Sequence, residues 1–296
     1  MTPIQLNEYK IRFSGKNWAE IDYGQKVEYL FQRLSLLDDD NQKNLVLDLT
    51  DKFEYIDYGS LLLELQETFG YCVRQKSQSG MRNVLVAPLK GPFIEMQKKA
   101  PNGKFLFSKS KSSDMVYPLL KNSLTDETLL DAVKFCDDPF LVSNKFQPGI
   151  SVMILVDDFI GSGKTAETHI NAYIEYLGQC KLHCTYKDFC IVVDIAMKQG
   201  VDYLSSLGIN CYSKRIQGRG ISDDARYTEN QKQENKLLMQ NIEKKILCKM
   251  NPKYSLGFCQ SESLVSIMNK VPNNTFPFYW NECVKDIKPI FRRYHE

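Results

Sequence analysis

The stretch Ser151 to Gly178, SVMILVDDFIGSGKTAETHINAYIEYLG, decides the fold. Residues 152–156 form an unbroken apolar run, which predicts a strand covered on both faces. Asp157 and Asp158 end the run, a loop over 157–163 turns on Gly161 and Gly163, and a helix follows from about 164 to 177. The GSGKT ending suggests an ATPase phosphate loop. That motif, G-x-x-x-x-G-K-[ST], needs a glycine where this chain has Asp158, and a carboxylate there would repel the phosphates its N–H groups should cradle. A second reading uses the whole stretch. The N–H groups of Gly163, Lys164 and Thr165 at the helix start hold one terminal phosphate, and the hydroxyls of Ser162 and Thr165 add donors. Asp157 and Asp158, a few residues back along the same edge, accept hydrogen bonds from vicinal ribose hydroxyls. Together these residues suit a sugar carrying a 5-phosphate.

Outward from this stretch, strands and helices alternate. The segment FCIVVDIA (189–196) predicts a second strand, residues 197–206 a helix ending before Gly208, and GINCYS (208–213) a third strand. Such alternation implies an α/β fold with a parallel sheet and right-handed crossovers. Upstream, NVLVAPLKGP (83–92) reads as a strand that breaks at Ala87-Pro88 into a loop carrying Lys90 and Gly91. Open α/β sheets bind ligands at the ends of such strands. The first eighty residues read as mostly helical. Val27, Leu30, Phe31 and Leu34 share one helix face there, and SLLLELQETFG runs from Ser60 to an end at Gly70. Residues 98–122, rich in Lys and Ser, read as a mobile arm or hairpin. Thr125 reads as the N-cap of DETLLDAVKF, and Pro139 and Pro148 bracket an irregular connection. A long charged helix is expected over Ser222 to Met250, with Leu238, Ile242, Ile246 and Met250 at spacing four. The layout is therefore a helical part (1–82), an α/β core (83–221) and a C-terminal helix with an aromatic and arginine-rich cap (222–296).

Composition narrows the function classes. Lys and Arg number 38 against 36 Asp and Glu, so a net charge of +2 gives no net electrostatic case for a nucleic-acid binder and leaves only local basic patches open. Nine cysteines scattered over predicted helices and strands read as free thiols. Cys180, His183 and Cys184 lack the second pair that a zinc site needs. His169 and His183 have no acid or nucleophile at a hydrolase spacing. No apolar run approaches the ~18 residues of a membrane span, and the N-terminus lacks a signal-like apolar region, so a cytoplasmic protein is expected.

The order in ILVDDFIGSGKT, Ile154 to Thr165, resembles the signature of the type I phosphoribosyltransferases: an apolar strand, two acids, two apolar residues and a small Thr/Ser/Gly-rich loop. The surrounding strand–helix order extends the resemblance over roughly 83–213. It implies a Rossmann-like parallel sheet of phosphoribosyltransferase type. It also implies that Asp157 and Asp158 hold the ribose 2- and 3-hydroxyls of phosphoribosyl pyrophosphate, and that Gly161 to Thr165 hold its 5-phosphate. Ala87, Pro88, Lys90 and Gly91 would then form the pyrophosphate loop. The cofactor implied is Mg2+ carried by the ligand, with no protein-only metal site. The hypoxanthine-guanine type has an acid where this chain has Gly161, and a lysine near the position of Asp194. Purine transfer by that route is therefore not expected, and Asp194 is either a contact for an amino donor or structural. Arg215, Arg219 and Arg292 are further candidate ligand contacts.

The wording LVDDFIGSGKT and the tail VPNNTFPFYW…RRY also resemble phosphoribosyltransferase-like effectors of bacterial conflict and antiphage loci, some of them retron-associated. This implies cleavage at the anomeric carbon, with a reverse transcriptase and its nucleic acid, or another defence protein, as partner, and allows an oligomer. The other reading is a non-catalytic sensor of phosphoribosyl compounds or nucleotides. Simpler roles stand beside the functional ones. Lys90 is either solvated or on pyrophosphate, and Lys104, Lys109 and Lys111 are either surface charges or close over the ligand. Trp280 and Phe278 read as core before base-stacking platforms, and Arg292 and Arg293 either pair locally or clamp a phosphate.

Overall fold

Ser151–Val156 is a strand whose six residues are all buried, as its apolar run requires. It lies between Asn83–Pro88 and Phe189–Met197, both parallel to it, with Val133–Phe135 and Asn210–Gln217 as the outer neighbours. Phe159–Ile160 pairs with Ile195 and Ala196 in the same register as Ser151–Val156 on that strand, so it resumes the strand after a break at Asp157 and Asp158. This computed structural model describes residues 3–20, 24–93, 106–107, 112–248, 250–268 and 270–293.

Side-chain alternation sends Leu85, Met153, Leu155, Ile191 and Val193 into one core, with Ile170, Tyr173 and Leu177 of helix Lys164–Gln179 and Leu204 of helix Lys198–Ser206. Val84, Val86, Val152, Ile154 and Val192 enter another, with Leu65, Phe69 and Val73 of helix Tyr58–Gln78 and Val116, Tyr117 and Leu120 of helix Ser113–Ser123. Apolar residues on both faces of each strand are what a helix-covered parallel sheet demands. The parallel α/β sheet expected from the sequence is therefore present.

Several local expectations change. Helix Tyr58–Gln78 continues through Gly70, because Cys72 and Val73 extend its buried face. The strand Asn83–Pro88 keeps Pro88, paired with Val156 at its last position, where a missing N–H interrupts nothing beyond it. The end of the expected arm is helix Ser113–Ser123, packed in the core, and Pro92–Phe93 pairs antiparallel with Leu106–Phe107. The rest of the arm lies outside the described residues. Asp126, not Thr125, caps helix Glu127–Ala132 by accepting from Leu129 N at 3.2 Å, and the chain then becomes the strand Val133–Phe135. The connection between the prolines contains helix Pro139–Lys145, capped by Asp138. The charged helix is shorter than expected, Glu229–Ile246, closed at its start by a Thr228–Gln231 capping box.

Chain contacts group Gly59–Gln217 as one unit, and Met1–Tyr58 with Gly218–Glu296 as a second, rather than as three consecutive parts. In the second unit helices Gln25–Leu34, Asp40–Asp51 and Glu229–Ile246 share a core with Phe53, Phe276, Phe278, Tyr279 and Phe291. Glu54–Ile56 pairs there with Val265–Ile267, joining the ends of the chain. The nine cysteines are free thiols. Among the described residues no helix is long and apolar enough to cross a membrane.

Candidate functional site

Because the strands are parallel, the carboxyl ends of Asn83–Pro88 and Ser151–Val156 lie on one edge, and Pro88 sits opposite Val156. The residues that follow them, Lys90 and Asp157, are thus brought together. Asp157 still donates its N–H to Val192 O at 3.2 Å, and Asp158 O accepts from Ile195 N at 3.4 Å. The two acids are therefore held by the sheet's own hydrogen bonding. Asp158 is buried, at 8% exposure, and Asp157 is partly exposed. Burial of the Asp157 carboxylate, with the charge of Asp158 next, pushes its pKa well above the ordinary carboxylate range, although Ser112 Oγ at 2.7 Å and Asp158 N at 2.9 Å both donate to its Oδ1. Two crowded carboxylates ask for a proton, a cation or hydroxyl donors between them.

Gly163 follows, with φ of 77°, left-handed backbone that suits glycine, and no side chain caps the helix it opens. The first N–H groups of Lys164–Gln179 are thus left to face the loop at the dipole's positive end. Lys164 and Thr165 are exposed, and Gly161 and Ser162 are partly so. Gly200 pins this loop: a Cβ there would lie 2.1 Å from Gly161 O. Sequence reading passed over Gly200. The signal available was a glycine in the first turn of a helix, where it costs about 1 kcal/mol relative to alanine.

His169, read from the sequence only as lacking hydrolase partners, has a structural role instead. Its Nδ1 accepts the N–H of Gly91 at 3.0 Å, tying residues 89–91 to the helix that follows the loop 157–163. Gly91 lies so close to that helix that a Cβ would meet Ala172 Cβ at 2.8 Å. Accepting at Nδ1 requires neutral imidazole there, and burial together with Lys90's charge lowers the His169 pKa accordingly. Ala87 and Lys90 are buried, and Lys90 Nζ pairs with Asp114. Burial lowers the Lys90 pKa while Asp157 opposes the change, so the ammonium and the first acid sense one another.

Of the other candidates, Asp194 lies on the neighbouring strand beside Asp158, whose charge it senses, with Arg215 on the next strand. Asp194 is fully buried in its strand, and no N–H or hydroxyl donor reaches either carboxylate oxygen. Burial, then the charge of Glu64 and a hydrogen bond to it, pushes the Asp194 pKa up to about 8. The charge of Glu64 is in turn held by Arg215 through Nε at 2.6 Å and through Nη2. Arg215 is thus engaged with Glu64. Arg219 and Arg292 belong to the second unit, where Arg219 pairs with Asp223 at 2.8 Å and Arg292 is exposed. Trp280 and Phe278 are core there, and the Arg293 guanidinium lies 4.9 Å from the Trp280 ring centre. Lys104, Lys109 and Lys111 lie outside the described residues. Among the described residues no group of three His, Cys, Asp or Glu side chains could hold a metal ion.

A family model described as PRTase-CE matches residues 32–293. Among solved structures, orotate phosphoribosyltransferase from Aeropyrum pernix is similar over 55% of this chain and 78% of its own, at 15% identity and a TM-score of 0.27. No curated protein matches the chain.

Proposed function

The chain belongs to the PRTase-CE family, a phosphoribosyltransferase-like family, and we propose that it binds phosphoribosyl pyrophosphate or a related ribose 5-phosphate compound and cleaves it at the anomeric carbon. The observation that carries this is the joining, at one sheet edge, of two crowded carboxylates and an uncapped helix N-terminus on a loop pinned by Gly200. Gly163, Lys164 and Thr165 offer N–H groups to the 5-phosphate, with Ser162 and Thr165 hydroxyls beside them. Asp157 and Asp158 accept the ribose hydroxyls and so exchange mutual repulsion for hydrogen bonds. Lys90 takes the departing anion. Magnesium, carried on the pyrophosphate, supplies the remaining charge neutralisation. The chemistry passes through an oxocarbenium-like state, in which protein groups chiefly position the sugar and stabilise the leaving group. The enzyme would be a phosphoribosyltransferase or a related hydrolase.

A second reading, a sensor that binds without turnover, is favoured by Gly161. Its carbonyl faces Gly200, and the loop offers no acid there for proton transfer to an acceptor. The tail and loop wording further supports a role in antiphage defence, with a reverse transcriptase complex or another defence protein as partner. Incubation with phosphoribosyl pyrophosphate, magnesium and a nucleotide pool separates the readings. Pyrophosphate release lost in Asp157→Asn/Asp158→Asn supports the enzyme. Binding without release in every pool, abolished by the same changes, marks a sensor, and no binding at all refutes both. A gene neighbourhood without defence genes removes the antiphage part.

A further inference from the structure

The segment that opens helix Ser113–Ser123 touches both charged sides of the candidate site. Ser112 Oγ donates to Asp157 Oδ1 at 2.7 Å, and the Asp114 carboxylate pairs with Lys90 Nζ. A hydroxyl on the carboxylate and an anion on the ammonium are the two groups that a sugar and its leaving anion would bring. The two sides of the ion pair differ in freedom: the Lys90 side chain is 6% exposed, that of Asp114 57%. The buried ammonium is fixed and needs an anion, since an unpaired buried charge is strongly disfavoured. The carboxylate that meets it sits towards water, with room for its side chain to rotate away. Asp157 is equally in need of a donor, because Asp158 crowds it.

We propose that Ser112 and Asp114 are an internal stand-in for the ligand, a hydroxyl and an anion on one short segment that occupy Asp157 and Lys90 until a compound carrying both displaces them. The inference rests on the ribose-phosphate reading of this site and adds to it a rule of selection. An anion without hydroxyls, or a sugar without a second anion, displaces half of the stand-in and binds weakly. Apparent affinity is reduced by the fraction of molecules whose site is self-occupied.

Calorimetric titration of the full chain and of Asp114→Asn, Ser112→Ala and the double variant, each with magnesium, tests it. The probes are inorganic pyrophosphate, ribose 5-phosphate and phosphoribosyl pyrophosphate. Asp114→Asn keeps the side chain's shape, and thermal melting checks the fold. Asp114→Asn is expected to tighten pyrophosphate about tenfold and leave ribose 5-phosphate unchanged. Ser112→Ala is expected to do the reverse, and the double variant to gain most with phosphoribosyl pyrophosphate. If the wild type binds phosphoribosyl pyrophosphate and Asp114→Asn weakens or does not change pyrophosphate binding, the stand-in is refuted while the site reading survives. Tighter pyrophosphate in Asp114→Asn, with no protein binding either ribose compound, keeps the displacement at Lys90 and overturns the ribose reading. Absence of binding by all four proteins overturns both.

Discussion

In the unit Gly59–Gln217 backbone groups mostly satisfy one another along parallel strands, whereas in the unit of Met1–Tyr58 and Gly218–Glu296 the segments outside the helices also rely on buried polar side chains. Arg33, fully buried, donates to the carbonyls of Phe278, Asn281 and Lys288, and burial lowers its pKa to about 10. Glu262, also buried, accepts from Ile221 N at 2.8 Å and from Ser222 N at 2.7 Å and Oγ at 2.5 Å. Of eight non-glycine residues with positive φ, seven (Leu256, Cys259, Gln260, Glu262, Met268, Lys285 and Asp286) fall in this second unit, among the described residues. A chain segment without a ladder must turn tightly and give its N–H and C=O groups to something else. One unit is ordered by the period of its strands and helices, and the other adds to its helices a few polar hubs that hold the irregular segments.

Removing a hub should therefore do most damage. Arg33→Ala leaves buried carbonyls without donors and opens a cavity, and is expected to destabilise the protein by about 4 kcal/mol, read as a lower urea midpoint. An unchanged midpoint would break the comparison. Glu262→Ala removes one acceptor for two N–H groups and should cost roughly 3 kcal/mol, again by urea unfolding. In the first unit the matching sensitive point is a close backbone approach. Gly200→Ala should cost roughly 2 kcal/mol and, by shifting Gly161, abolish binding of ribose 5-phosphate compounds in the same titrations. Wild-type affinity in that variant would show that the loop is not pinned there.

The smallest effect per step sharpens the contrast, because Asp194 is a polar exception inside the periodic unit. Its folded pKa, raised to about 8, exceeds the unfolded value of about 4. The folded state then holds the extra proton between those values, so this group's contribution is greatest below about pH 4 and is lost as pH rises towards 8. Asp194→Asn should remove a slope of roughly 1 kcal/mol per pH unit over that window, measured as the difference between urea profiles of variant and wild type. Parallel profiles would mean that Asp194 does not hold a proton against Glu64.

Periodic parts of the fold were legible early. The strands at 151–156 and 189–197 and the helix from Lys164 announced themselves through unbroken apolar runs and a glycine turn. Helix Ser113–Ser123 was hidden, because Lys- and Ser-rich sequence before it masks the buried face of Val116, Tyr117 and Leu120. Gly70 misled, since a glycine near a helix end usually stops it, while here the apolar face behind it carries on. In the site, Asp157, Asp158 and the loop could be listed in order from the chain, but their supports could not. Lys90 with Asp114, Gly91 with His169 and Gly161 with Gly200 are pairs between separate elements.

By itself the sequence determined the parallel α/β core and the order of acids, glycines and helix start, because backbone conformation and side-chain period are local properties written residue by residue. Tertiary structure alone decided which groups face one another. Arg215 reaches Glu64 across 151 positions, Arg33 reaches Phe278 across 245, and Ser112 reaches Asp157 across 45. Composition carries the charge of each partner. Only packing, which buries a charge and so compels it to find its complement, fixes the pairing.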